Sequence, residues 1–92
     1  SVEDIERNIK EILEDLDKHA IFVEKGNNRE EILKKAAIMI SSHSPSIFVI
    51  AGMGSAAKII NECVAELKVI LQDYEFEKVS SANKEILFLE EN

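Results

Sequence analysis

Cysteine is almost missing from this chain of 92 residues. Cys63 stands alone, so no intrachain disulfide can form and a reducing, cytoplasmic setting is expected. Tryptophan is absent, proline occurs once and glycine three times, which argues against a disordered or linker-like chain. No run approaches the ~20 apolar residues of a membrane span and no signal-peptide pattern occurs, so no membrane partner is expected. Positive charge is scarce as well. Eleven Lys and Arg face eighteen Asp and Glu, for a net charge of −7. That balance counts against casual nucleic-acid binding, which draws most of its affinity from phosphate neutralisation by Lys and Arg.

What the chain does have is the composition of one small globular domain, 46% hydrophobic and 32% charged. A single core is expected, because a chain of this length buries only roughly two thirds of its unfolded surface. The acid excess is uneven: residues 1–19 carry seven acids against three bases. In that segment Val2, Ile5, Ile9, Ile12, Leu13 and Leu16 recur at intervals of three and four, the stripe of an amphipathic helix. The chain therefore divides into an N-terminal amphipathic helix, 1–19, and a domain over 20–92.

Within the domain, "AIFVE" at 20–24 is short, rich in β-formers and closed by the breaker run "KGNN", which predicts a first strand. Asn28, with Glu31 three residues on, predicts a helix start in the manner of a capping box. Ile32, Leu33, Ala36, Met39 and Ile40 share one face of that helix, and "SSHSPS" ends it, since a proline disfavours helical geometry in the residue before it. "SIFVIA" at 46–51 is apolar on both faces, which predicts a central strand covered on each side. After the turn at Gly52 and Gly54, a helical stripe runs through Ala56, Ile59, Ile60, Cys63, Val64, Leu67, Ile70 and Leu71. "DYEFEKV" alternates like a half-exposed strand, "SSANKE" reads as a polar turn, and "ILFLE" as a last strand. The expected order is α followed by βαβαββ. Two helical crossovers and a hairpin imply an α/β (α+β) fold with a mixed four-stranded sheet.

The glycine turn admits three readings. Gly52 and Gly54 can be plain scaffolding, giving unusual backbone angles and close packing where strand becomes helix. Exposed N–H groups at the helix start can receive a phosphate of RNA or DNA. Gly52-Met53-Gly54-Ser55-Ala56-Ala57 also approximates a dinucleotide fingerprint, with Glu77 about twenty residues on, although the hairpin comes where another crossover should be. Other chemistry has less to stand on. His19, His43 and Cys63 are too few and too scattered for a metal site, and no CxxC or HxxxH spacing occurs. Acid pairs such as Glu30 and Glu31 fall on polar helix faces. No cofactor, no metal and no enzyme activity is expected.

This element order, with "IFVEKGNN" and "IAGMGSAAKII", resembles the Alba family of small dimeric nucleic-acid-binding proteins over residues 20–90. The resemblance implies a loop at Gly26-Asn27-Asn28 where the family has Gly-Lys-Lys, and a second loop where Met53 and Ser55 replace its arginines. It implies a contact surface made of Lys25, Gly26, Asn27, Asn28, Arg29, Gly52, Met53, Gly54, Ser55 and Lys58, with Lys84 nearby. It also implies pairing through the second helix and the last strands, as a homodimer or with a related basic subunit that supplies the missing charge. Binding through so few cations would be weak and salt-sensitive. The alternative is an acidic protein-interaction or oligomerisation module that has lost nucleic-acid binding. "ILFL", expected on an edge hairpin with apolar side chains on two faces, favours association under either reading.

Overall fold

The computed structural model describes residues 1–7, 11 and 19–92. Six elements make up the domain: β1 (Ala20–Val23), α1 (Arg29–His43), β2 (Ile47–Met53), α2 (Ser55–Ile70), β3 (Tyr74–Ser81) and β4 (Lys84–Glu91). They build the expected mixed α/β fold, with a four-stranded sheet ordered β1-β2-β4-β3. β1 runs parallel to β2, with Val23 opposite Gly52, while β4 is antiparallel to both β2 and β3. Residues 2–7 and 11 are helical and exposed. Ile9, Ile12, Leu13 and Leu16, on which the expected N-terminal stripe rests, lie outside the described residues.

Local chemistry sets the helix ends. Asn28 caps α1 as its spacing foretells, its side-chain oxygen accepting from the Glu31 N–H at 3.0 Å. At the other end Ser44 turns left-handed at φ 42° before Pro45, and its N–H donates to the Ile40 carbonyl. α2 starts differently. Its N-cap is Gly54, which has no side chain to offer the free N–H groups.

Strand alternation then decides what is buried. Ile21, Val23, Phe48, Ile50, Leu87 and Leu89 point to one face and join Ile32 and Ala36 of α1 and Ala56, Ile60, Cys63 and Leu67 of α2 in a single core. Tyr74 packs edge to face on Phe48, ring centroids 5.3 Å apart, and its hydroxyl donates to the Pro45 carbonyl.

Four sequence expectations need correction. Both α1 and α2 cover the same face of the sheet, so "SIFVIA" does not lie between them; on its other face Ile47 and Met53 stand exposed, although Val49 is buried. β4 is an interior strand, because it inserts between β2 and β3, and Leu87 and Leu89 are fully buried. The polar turn "SSANKE" shrinks to Ala82 and Asn83, with Ser81 paired to Lys84. Ile70 leaves the α2 stripe and is exposed, while Leu67 and Leu71 on either side of it are buried in the core.

Gly52 is the tightest point of the fold. A Cβ there would lie 2.9 Å from Ile60 Cδ1 and 3.2 Å from the Ala56 carbonyl carbon, so the β2 end and the first turn of α2 meet backbone to backbone. Gly52→Ala is expected to lower the unfolding free energy by roughly 1–3 kcal/mol through overpacking, read from urea denaturation. An unchanged midpoint would show that this approach is dispensable.

Tyr74 gives a second test. Burial, with the Glu91 and Asp73 carboxylates, pushes its phenol above the ordinary value. The native state thus favours the neutral phenol. That contribution is complete below the usual tyrosine pKa of about 10 and disappears as pH rises through the raised one. Thermal unfolding of the wild type should show a component of alkaline destabilisation that Tyr74→Phe lacks; identical alkaline limbs would refute it.

Candidate functional site

Because β1 and β2 are parallel and in register, both chains leave the sheet at the same end, one through Lys25–Asn28 and the other through Gly54. The carboxyl ends of parallel strands are where α/β folds commonly place ligands. The hairpin tip joins them there, since the Gly54 N–H donates to the Asn83 carbonyl at 2.9 Å. Three segments distant in sequence thus share one end of the domain.

Two concavities open at this end. A groove of about 510 Å³ is lined by Phe22, Lys25, Gly52, Met53, Lys84 and Ile86. A cleft of about 250 Å³ between α2 and the hairpin is lined by Gly54, Lys58, Asn61, Asn83, Lys84 and Glu85. Lys84 borders both, which puts Lys25 and Lys58 on the two sides of it. The N–H groups of the uncapped first turn of α2 carry the positive end of the helix dipole, and that turn has no acidic residue to oppose it. Lys25, Lys58 and Lys84 thus stand at this end beside the helix start, in company with Glu24, Glu31 and Glu85.

The ten residues singled out from the sequence fall into two groups. Lys25, Met53, Ser55 and Lys58 are exposed and available to a ligand. The other six have structural duties. Gly26 and Gly54 hold φ angles of 93° and 58°, open to glycine at little steric cost. Gly52 allows the close approach described above. Asn27 ties the loop together: its side-chain oxygen accepts from the Glu24 N–H at 2.8 Å while its amide donates to Glu31 at 2.7 Å. Asn28 is the α1 cap. Arg29 is ion-paired with Glu66 of α2, so it braces the two helices against each other.

Glu85 was concealed by its place in a supposed polar turn. It is 5% exposed, accepts from the Ser80 hydroxyl at 2.8 Å, and has Lys78 Nζ 3.4 Å from Oε1. That second contact is ionic and lacks hydrogen-bond geometry. The sequence signal was its phase, because Glu85 alternates with Leu87 and Leu89 on the core face.

The competing chemistries find little support in the geometry. Glu77, required by a dinucleotide fingerprint, lies on β3 at the far edge of the sheet from β1. His19 and His43 do meet, with ring centroids 6.1 Å apart, but no cluster of three metal-ligating side chains occurs among the described residues. No helix among them is long and apolar enough to cross a membrane. The chain matches no family model, no curated protein and no solved structure.

Cys63 is fully buried and its thiol donates to the Ile60 carbonyl at 3.4 Å. Burial pushes its pKa up, against smaller opposing effects of its own backbone N–H and of Arg29. A thiol held neutral and out of contact with water is a poor nucleophile. Thiol reagents at neutral pH should label it only as fast as the domain unfolds, and rapid native-state labelling would contradict this packing.

Proposed function

We propose that the chain is a non-enzymatic, Alba-like nucleic-acid-binding domain that takes RNA or DNA phosphates weakly at the shared loop end. The observation that carries the reading is the convergence of Lys25, Lys58 and Lys84 around an uncapped helix start, beside a groove floored by the exposed ring of Phe22. Lysines and free N–H groups suit phosphates, and an exposed aromatic ring suits an unstacked base. The resemblance in element order and loop spacing points the same way. Weakness follows from the count: three lysines neutralise few phosphates, and the rest of the surface repels them. A related basic subunit would raise affinity by adding cations alongside.

A second reading, a protein-interaction module, draws on the apolar sheet face opposite the helices, where Phe22, Ile47, Met53 and Val79 are exposed. It accounts for that face but leaves the loop-end lysines unused.

Titration of short single-stranded RNA and of duplex DNA at low and raised salt tests the first reading. For single strands the logarithm of the affinity should fall by about 0.7 per phosphate contact for each tenfold rise in salt. Lys25→Ala with Lys58→Ala should flatten that slope by ~1.4 and weaken binding. No affinity at low salt, or affinity untouched by the double substitution, would remove this reading; Arg29 is left intact because its ion pair supports the fold.

A further inference from the structure

The face of the sheet away from the helices has an internal order that its exposure alone does not convey. Pairing and alternation arrange its residues in four rows across the strands. The first holds Ile47, Glu90 and Glu75, and the second Ala20, Val49, Phe88 and Glu77. Phe22, Ala51, Ile86 and Val79 make the third, with Met53, Lys84 and Ser81 in the last. The middle is apolar apart from Glu77 on the edge strand β3, the first end is acidic, and the last end carries Lys84. On this face Phe22, Ile47, Met53 and Val79 are 63%, 49%, 59% and 45% exposed, while Val49 near its centre is 8% exposed.

We infer that this face is the interface of a twofold-symmetric dimer with a second copy of the chain, the strands of the two sheets running antiparallel across it. Turning the face about an axis in its own plane, across the strands, exchanges the first row with the last and the second with the third. Lys84 then meets Glu90 of the partner subunit and Ile86 meets the partner's Phe88. Met53 likewise meets the partner's Ile47, and Ala51 the partner's Val49. Each of these contacts occurs twice, as an isologous interface requires. The other twofold arrangement, about an axis along the strands, sets Glu90 over the partner's Ile47 and Lys84 over the partner's Met53. That would strip water from charges without pairing them, which is costly. The Lys84–Glu90 pairing thus favours this direction; Glu77 faces the partner's Val79 but lies on the edge strand β3, at the rim of the contact, and the usual twist of about 30° between packed sheets leaves the neighbours in reach.

Size sets the strength. A face of four strands about 4.8 Å apart and roughly seven residues long offers on the order of 450 Å² per copy. Twice that is below the standard interface range of about 1,200–2,000 Å², so the dimer is reversible and depends on concentration. Of the loop-end groove, Phe22, Met53, Lys84 and Ile86 enter the contact, while Lys25, Lys58 and the start of α2 stay outside it, the two copies presenting theirs at opposite ends of the dimer.

Sedimentation equilibrium of the protein alone, without nucleic acid, tests the inference, with far-ultraviolet circular dichroism to confirm that each variant is folded. The wild type should pass from monomer to dimer as concentration rises, and its thermal midpoint should rise with it. Lys84→Glu or Glu90→Lys alone sets like charges together twice and should weaken the dimer at least about tenfold. The double exchange, Lys84→Glu with Glu90→Lys, should recover the wild-type dimer to within a few fold. A wild type that stays monomeric at its solubility limit, single substitutions without effect, or a double exchange that fails to recover would each overturn this interface.

Discussion

Parallel pairing of β1 with β2 is the constraint from which the rest of the domain follows. Two parallel neighbours need a crossover, and α1 supplies it while covering one face of the sheet. The pairing also forces both strands to end on one side, so the β1–α1 loop and the β2–α2 turn become neighbours although some 25 residues separate them in sequence. The turn is held in place by glycine at two positions for two reasons. Gly52 lets α2 lie against the end of β2, and Gly54 takes a backbone angle that also brings its N–H to the hairpin tip. Scaffolding and ligand binding are thus compatible at the turn. The glycines hold the helix start in place, and because Gly54 has no side chain they leave its N–H groups unshielded.

One-sided coverage is the second consequence. Two helices suffice for one face of a four-stranded sheet, and among the described residues no further helix lies on the other. A domain of this size must use a large part of its apolar residues on that single core. Yet the open face is also apolar, from Phe22 through Ala51 and Ile86 to Val79. Residues selected only for contact with water would not form such a band, so its composition points to a partner. The charges at its two ends then carry the specificity, because apolar contact by itself is indifferent to direction.

Much of the fold was legible because it depends on short-range signals. The Asn28 cap, the stop at Pro45 and the stripes Ile32–Ala36 and Ala56–Ile60–Cys63–Leu67 all come from spacing within a few residues, and the structure follows them. Coverage was less legible, since "SIFVIA" is apolar on both faces whether its second face meets a helix or remains open. The hairpin lies at the sheet edge as expected, but pairing puts β4 inside and β3 outside. Polar composition hid the length of the hairpin: Ser80, Ser81, Lys84 and Glu85 look like a turn, but they are paired strand residues. Of the candidate contact residues, the sequence could locate the loops but not their internal bonding. Asn27, Asn28 and Arg29 look available in the sequence, yet each is occupied in the fold.

The occupation of those three residues narrows the chemistry at the loop end. Without Arg29 and the asparagines, the cations that remain are lysines, which act as mobile point charges rather than rigid bidentate forks. Such a surface can attract a phosphate backbone but has little means of reading base edges, so any sequence preference must come from stacking on Phe22 or from a second protein. Dimerisation through the open sheet face would partly withdraw Phe22 while leaving Lys25 and Lys58 outward at both ends. The dimer would then be a two-ended phosphate binder, with weak single sites made useful by a strand long enough to reach both. The monomer alone would retain the aromatic platform. On these two proposals, protein concentration would decide which of the two modes of contact the domain offers.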